Sequence, residues 1–263
     1  MKKILTIIMT AMLMLSLIPG NMIYALTEDE LIKRELQLAI VSGDGTSEFP
    51  YEVDYSKAPL FKEHMDTLND GVMSVLKGEV NNINSKGIYD GILSGTTYTN
   101  QTNGGEWVYT SGAPSVSSND RIWMKKIVYV SKTNTKAIYE LMKNDKFADV
   151  KALKSTLANS AYTTALSALS AKIGATAAKA VLVSLGKING LFSVAEILKF
   201  VNDYFVESRY KSAANNNYGM INATFQTSYN GSWYSQYGED TWTNANTVHL
   251  PGSYYGTGTY KSY

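Results

Sequence analysis

The chain has 263 residues, with 24 Lys and Arg against 23 Asp and Glu, two His and no Cys. That near balance excludes charge-driven binding to nucleic acid, and the missing thiols exclude disulfides, thiolate metal sites and a lipid-bearing cysteine. Without covalent staples the fold must rest on apolar burial, for which a chain of this length has enough core.

Lys2 and Lys3 precede an apolar run over residues 4–17 that Pro19-Gly20 end, the three-part pattern of an export signal. Residues 1–25 are expected to be a cleaved signal peptide, with Ala25 the last residue before the cut, and the product is expected to be secreted and extracellular. The run is shorter than the roughly 20 residues that a spanning helix needs. Cleavage removes two lysines and no acid, which leaves 22 basic against 23 acidic groups.

Residues 26–94 read as an N-terminal helical region. Leu31, Ile32, Leu36 and Ala39 fall at helical spacing behind a Thr27 cap, and Glu28, Asp29 and Glu30 suit the positive end of the helix. Phe61, Met65, Leu68, Val72, Val75, Leu76 and Val80 predict a second helix, which Gly71 and Gly78 each weaken by roughly 1 kcal/mol relative to alanine. Residues 95–130 turn to alternation and read as a β-hairpin region. Thr96-Thr97-Tyr98-Thr99 and Glu106-Trp107-Val108-Tyr109-Thr110 flank Asn103-Gly104-Gly105, a hairpin turn, and residues 122–130 form a further strand.

Residues 131–210 read as a helical block that opens on a cap from Ser131 and is expected to break at residues 186–190. Residues 155–171 carry no charge and mostly small side chains, and Gly174, Ala175, Ala177, Ala178 and Ala180 continue that texture before Val181-Leu182-Val183. Small residues let helices approach closely in water or in lipid. Lys172 and Lys179 are seven apart, which at about 100° per residue puts both on one wet face of a continuous helix. Gly174, Ala178, Lys172, Lys179, Leu182, Leu185 and Phe192 are therefore the candidate membrane-active residues. The same pattern describes an ordinary buried helix pair, and the charges that interrupt the apolar stretch about every two turns favour that reading. Residues 211–263 form a C-terminal β region and tail, with alternation over residues 221–229, an Asn230-Gly231 turn, and a return over residues 233–237 that sets Ser228 opposite Trp233 and Thr227 opposite Tyr234.

The fold class is α+β: a central α-helical block rich in small residues, with antiparallel β-hairpins before and after it. No catalytic set is legible. His64 and His249 belong to no metal-binding pair, His64 reads as a solvated helix residue, and no nucleophile elbow or phosphate loop occurs. Cofactors and metals are expected to be absent. Trp107, Tyr109, Trp233, Tyr234 and Trp242 lie in strand texture among amide and hydroxyl residues, where they either stack on a glycan or form a sheet-to-helix core. Two functions compete on this inventory. One is a secreted, non-enzymatic antibacterial protein of large-bacteriocin or toxin-like type, which acts on the envelope or membrane of target cells and calls for a cognate immunity protein. The other is a passive extracellular protein that binds glycans or surfaces.

Overall fold

The computed structural model describes residues 26–79, 88–112, 119–186, 206–252 and 256–263; the expected signal peptide and Phe192 lie outside them. Helix α1 (Glu28–Ala39) starts on a reciprocal cap, in which Thr27 Oγ1 accepts from Glu30 N and the Glu30 carboxylate accepts from Thr27 N. Strands β1 (Ile40–Ser42) and β2 (Glu52–Val53) pair antiparallel across the intervening loop. Helix α2 (Pro59–Lys77) follows with proline in its first turn and no side-chain cap of its own. Glu35 of α1 supplies one, its Oε2 accepting from Leu60 N at 2.9 Å and Phe61 N at 3.2 Å.

Gly78 ends α2 in the left-handed conformation and donates to Ser74 O and Val75 O. The helix expected to run past Gly78 therefore stops at it, and a short helix α3 (Asp90–Leu93) follows later. Gly71 stays inside α2 because the Tyr89 ring lies where its Cβ would be, with the hydroxyl oxygen 2.2 Å from that point.

Strand β3 (Thr97–Tyr98) does not form a hairpin with β4 (Gly104–Ser111), contrary to the expectation from Asn103-Gly104-Gly105. It pairs with β8 (Val248–His249), while β4 lies between β5 (Ile122–Val130) and β9 (Thr257–Ser262). The pairing is decided at long range: a Cβ on Gly104 would stand 2.0 Å from the Tyr129 carbonyl oxygen, so this glycine admits β5 rather than closing a turn onto β3.

The helical block comprises α4 (Lys132–Lys143), α5 (Phe147–Ala152), α6 (Lys154–Asn159), α7 (Tyr162–Ile173) and α8 (Ala175–Ser184), and α9 (Glu207–Asn215) leads back to the sheet. Ser131 caps α4 by accepting from Asn134 N. Gly174, at φ 85°, separates α7 from α8. Lys172 and Lys179 thus sit on two helices, both exposed, and a continuous 100° rotation does not relate them.

Strands β6 (Gly219–Tyr229) and β7 (Ser232–Trp242) form the expected hairpin through Asn230 at φ 48° and Gly231 at φ 78°, in the expected register of Ser228 with Trp233 and Thr227 with Tyr234. The main sheet is antiparallel, in the order β7-β6-β5-β4-β9, so the chain is α+β with strands of both β regions in one sheet and β3 paired with β8 apart from it. Alternation gives the sheet two packed faces. Ile127, Tyr129, Ile221 and Ala223 meet Val72, Val75 and Leu76 of α2 on one, and Val128, Val130 and Met220 meet Ile138, Val181 and Leu182 on the other.

Candidate functional site

The residues expected to act on membranes are divided between surface and core. Ala178, Leu182 and Leu185 are fully buried, whereas Lys172, Gly174 and Lys179 are exposed. No helix among the described residues is long and apolar enough to cross a membrane. At the C-terminal end of α8 the sheet surface turns polar. Lys126 Nζ reaches the fully buried Glu106 carboxylate at 3.1 Å and donates to Gly186 O at 3.2 Å, and Asn222 Nδ2 donates to Ser184 O. Glu239 is buried nearby with Arg209 at 3.5 Å, and its burial holds the carboxyl well above the ordinary range.

The aromatic residues expected on a glycan-binding surface are mostly inside. Trp107 and Trp242 belong to the core under α2, where Trp242 Nε1 donates to Thr247 O. Tyr234 packs on Phe61 at 4.9 Å between ring centres, and Trp233 is buried against Trp123. Rings this large contribute most when taken out of water, and two packed sheet faces give them that place. Only Tyr109 of the five is half-exposed, and it opens onto a cleft.

This cleft, of about 820 Å³, lies between Tyr109 of β4, Trp123 and Lys125 of β5 and the middle of β6 and β7 on one side and the loop of residues 42–52 on the other. A β-bulge builds its floor. The pairing of β5 with β6 passes from Met124 with Phe225 to Lys126 with Thr224, so that Lys125 is the extra residue. Its ammonium lies over the Trp123 ring at 3.1 Å and faces the Tyr109 ring at 5.1 Å. Trp123 is held edge-on between Tyr109 at 5.1 Å and Trp233 at 5.9 Å.

The opposite wall is a loop shaped by its own side chains. Asp44 Oδ1 accepts from Thr46 N at 2.9 Å and Thr46 Oγ1 at 2.7 Å, bonds that hold the Asp44 carboxyl below its usual pKa. Phe49 N donates to Thr46 Oγ1, and the Phe49 ring is left 67% exposed. The loop also covers the free edge of β7: Trp233 N donates to Gly45 O, and Tyr51 N to Trp233 O. Gln226 Nε2 donates to Ser47 O at 3.1 Å and ties the loop to the sheet.

Two polar atoms among the buried lining side chains have no partner, Trp123 Nε1 and Gln226 Oε1, and these residues are paired directly across β5 and β6. Residue type alone marks Trp123 as one more strand aromatic among amide and hydroxyl residues and gives no signal at Gln226. The doubled lysine in Trp123-Met124-Lys125-Lys126 was the available signal, since strict alternation would send one of the two into a core face.

The histidines and the acids Asp66, Glu239 and Asp240 lie outside the cleft lining, whose carboxylates are Glu48 and Glu52. Glu239 and Asp240 point to opposite faces of β7, Asp240 pairing with Lys77 at 3.1 Å. Asp66 is paired with Lys62. His64 is not merely solvated: its Nε2 meets Asp120 Oδ1 at 2.8 Å, and that hydrogen bond raises its pKa, while burial lowers that of His249. No group of three His, Cys, Asp or Glu residues among the described residues could hold a metal ion. Fold and cleft together describe an α+β protein with an open cleft between its main sheet and the loop of residues 42–52. No protein-family model matches this chain, and no curated protein or solved structure matches it.

Proposed function

We propose that the chain is an exported, non-enzymatic binding protein that attaches to cell-surface material through the cleft between its sheet and the loop of residues 42–52. The observation that carries this reading is the cleft itself. Its volume falls in the range of about 300–1,000 Å³ usual for small-molecule sites, and aromatic rings, neutral polar side chains and a braced loop line it. Mature protein should sediment with purified bacterial envelopes, and replacing Phe49 and Lys125 together by alanine should release it. Equal sedimentation of that variant would remove the cleft from the reading.

The second reading, an antibacterial antagonist whose helical block perturbs a membrane, has one observation in its favour. The C-terminal end of helix α8 rests on the buried Glu106–Lys126 pair and on Asn222 rather than on a wholly apolar bed. A seat of this kind lowers the cost of lifting the helix. Leakage from dye-loaded liposomes and growth inhibition of related bacteria at micromolar protein would support it. Intact liposomes and unchanged growth would leave the binding reading alone.

A further inference from the structure

We infer that the ligand of this cleft is an uncharged saccharide, one of whose hydroxyl or acetamido groups is read by the Trp123 indole N–H and the Gln226 side-chain carbonyl. The inference rests on the binding reading above and narrows it to one ligand class. Its first support is the unpaired donor and acceptor. Buried polar groups nearly always have partners, because leaving one unmade forfeits a hydrogen bond already lost to water. Here two such groups of opposite kind stand on directly paired residues of neighbouring strands in the cleft floor. The orientation of Gln226 is fixed, since its Nε2 is committed to Ser47 O. What remains is one donor beside one acceptor. A group that both gives and accepts a hydrogen bond satisfies the pair, and sugar hydroxyls and acetamides are such groups.

Charge and lining narrow the class further. Glu48 and Glu52 stand in the lining together with Lys125, so an anion meets two carboxylates and a cation meets an ammonium. A neutral ligand meets neither conflict. Ser42, Ser47, Thr224, Ser235 and Gln236 add hydroxyl and amide groups around the aromatic rings. An extended peptide is disfavoured as the occupant. Peptides add to sheets along open edges, and the β7 edge beside the cleft is already bonded to residues 45 and 51. Trp123 Nε1 and Gln226 Oε1 are shut off from bulk water, and the Lys125 ammonium covers the indole face. Lys125 is the bulged residue of its strand, and a ligand reaches the pair by displacing its flexible side chain.

The experiment is a calorimetric titration of the full mature protein with cellotriose, maltotriose and tri-N-acetylchitotriose, with trialanine amide as the peptide control. At least one saccharide should bind, and Trp123→Phe, which keeps an aromatic ring but removes the N–H, should weaken it about tenfold. Gln226→Met should do the same, and circular dichroism confirms that each variant is folded. Should either variant fail to fold, movement of the wild-type Trp123 indole N–H resonance on saccharide addition carries the test. Binding of the peptide in place of every saccharide overturns the inference. Envelope sedimentation that persists while no saccharide binds overturns the saccharide class and spares surface binding. Loss of both overturns the two readings together.

Discussion

Lys126→Met removes one partner of the buried pair under α8 and tests how that helix is seated. Lys126 Nζ and Glu106 Oε1 are 3.1 Å apart, and Glu106 is fully buried. At an effective dielectric constant of 20, two charges at this separation attract by about 5 kcal/mol. Removing one charge from a buried pair costs about 3–5 kcal/mol, because the remaining carboxylate keeps its desolvation penalty. The variant also loses the donor to Gly186 O, directly after α8. Urea unfolding followed by circular dichroism should therefore show a loss near the upper part of that range. The double variant Glu106→Leu, Lys126→Met should recover most of it, since apolar replacement of a whole buried pair is often neutral or stabilising. A single-variant loss below about 1 kcal/mol, or a double variant no better than the single, would refute the reasoning that this pair is a dry, mutually dependent contact.

Gly174→Ala meets open space but keeps φ 85° and ψ 153°, a region almost confined to glycine, so it should cost about 1–3 kcal/mol from backbone strain alone, and Ala178→Leu at a fully buried site should cost about 1–3 kcal/mol from overpacking; urea unfolding measures both. Gly231→Ala, also in open space at φ 78°, should weaken the β6–β7 turn by about 1 kcal/mol in the same assay. The histidines should act on stability in opposite directions. The Asp120 hydrogen bond raises the pKa of His64, so its contribution is full below the unfolded value and is lost as pH rises through the folded one. Burial lowers the pKa of His249, so its contribution is present above the unfolded value and is lost as pH falls through the folded one. Proton NMR titration should place the two midpoints on either side of about 6.5, and Asp120→Asn should bring His64 down while His249 stays put.

Local signals carried far in this chain where one element could satisfy them by itself. The Thr27 cap, the Ser131 cap and the Asn230-Gly231 turn each involve residues a few positions apart, and the structure has all three. The strand texture of residues 96–110 was equally clear, but its partner was not. Glycines 104 and 105 suit a tight turn and close packing alike, and the latter applies, with Tyr129 and Tyr260 against them. The break at Gly174 was hidden for a related reason. A single glycine in an alanine-rich stretch costs a helix only about 1 kcal/mol, so the pattern reads through it.

The cleft was the least legible feature. Its floor depends on a bulge that sets Lys125 outside the alternation, and its wall on a loop whose hold on β7 spans about 180 positions of sequence. The five aromatic residues singled out lie in the sheet that floors the cleft, and of them Tyr109 lines it. Trp233 and Tyr234 alternate across β7 as the pattern requires, yet both faces are covered, so neither ring is offered to solvent.

The most direct measurement follows the indole N–H signals of the four tryptophans in ¹⁵N-labelled protein while oligosaccharides released from bacterial envelopes are added. The Trp123 signal should move strongly, Trp233 slightly through its contact with that ring, and Trp107 and Trp242, on the other side of the sheet, should stay in place. Four stationary signals, or movement confined to Trp107 and Trp242, would contradict the assignment of this cleft as the binding site.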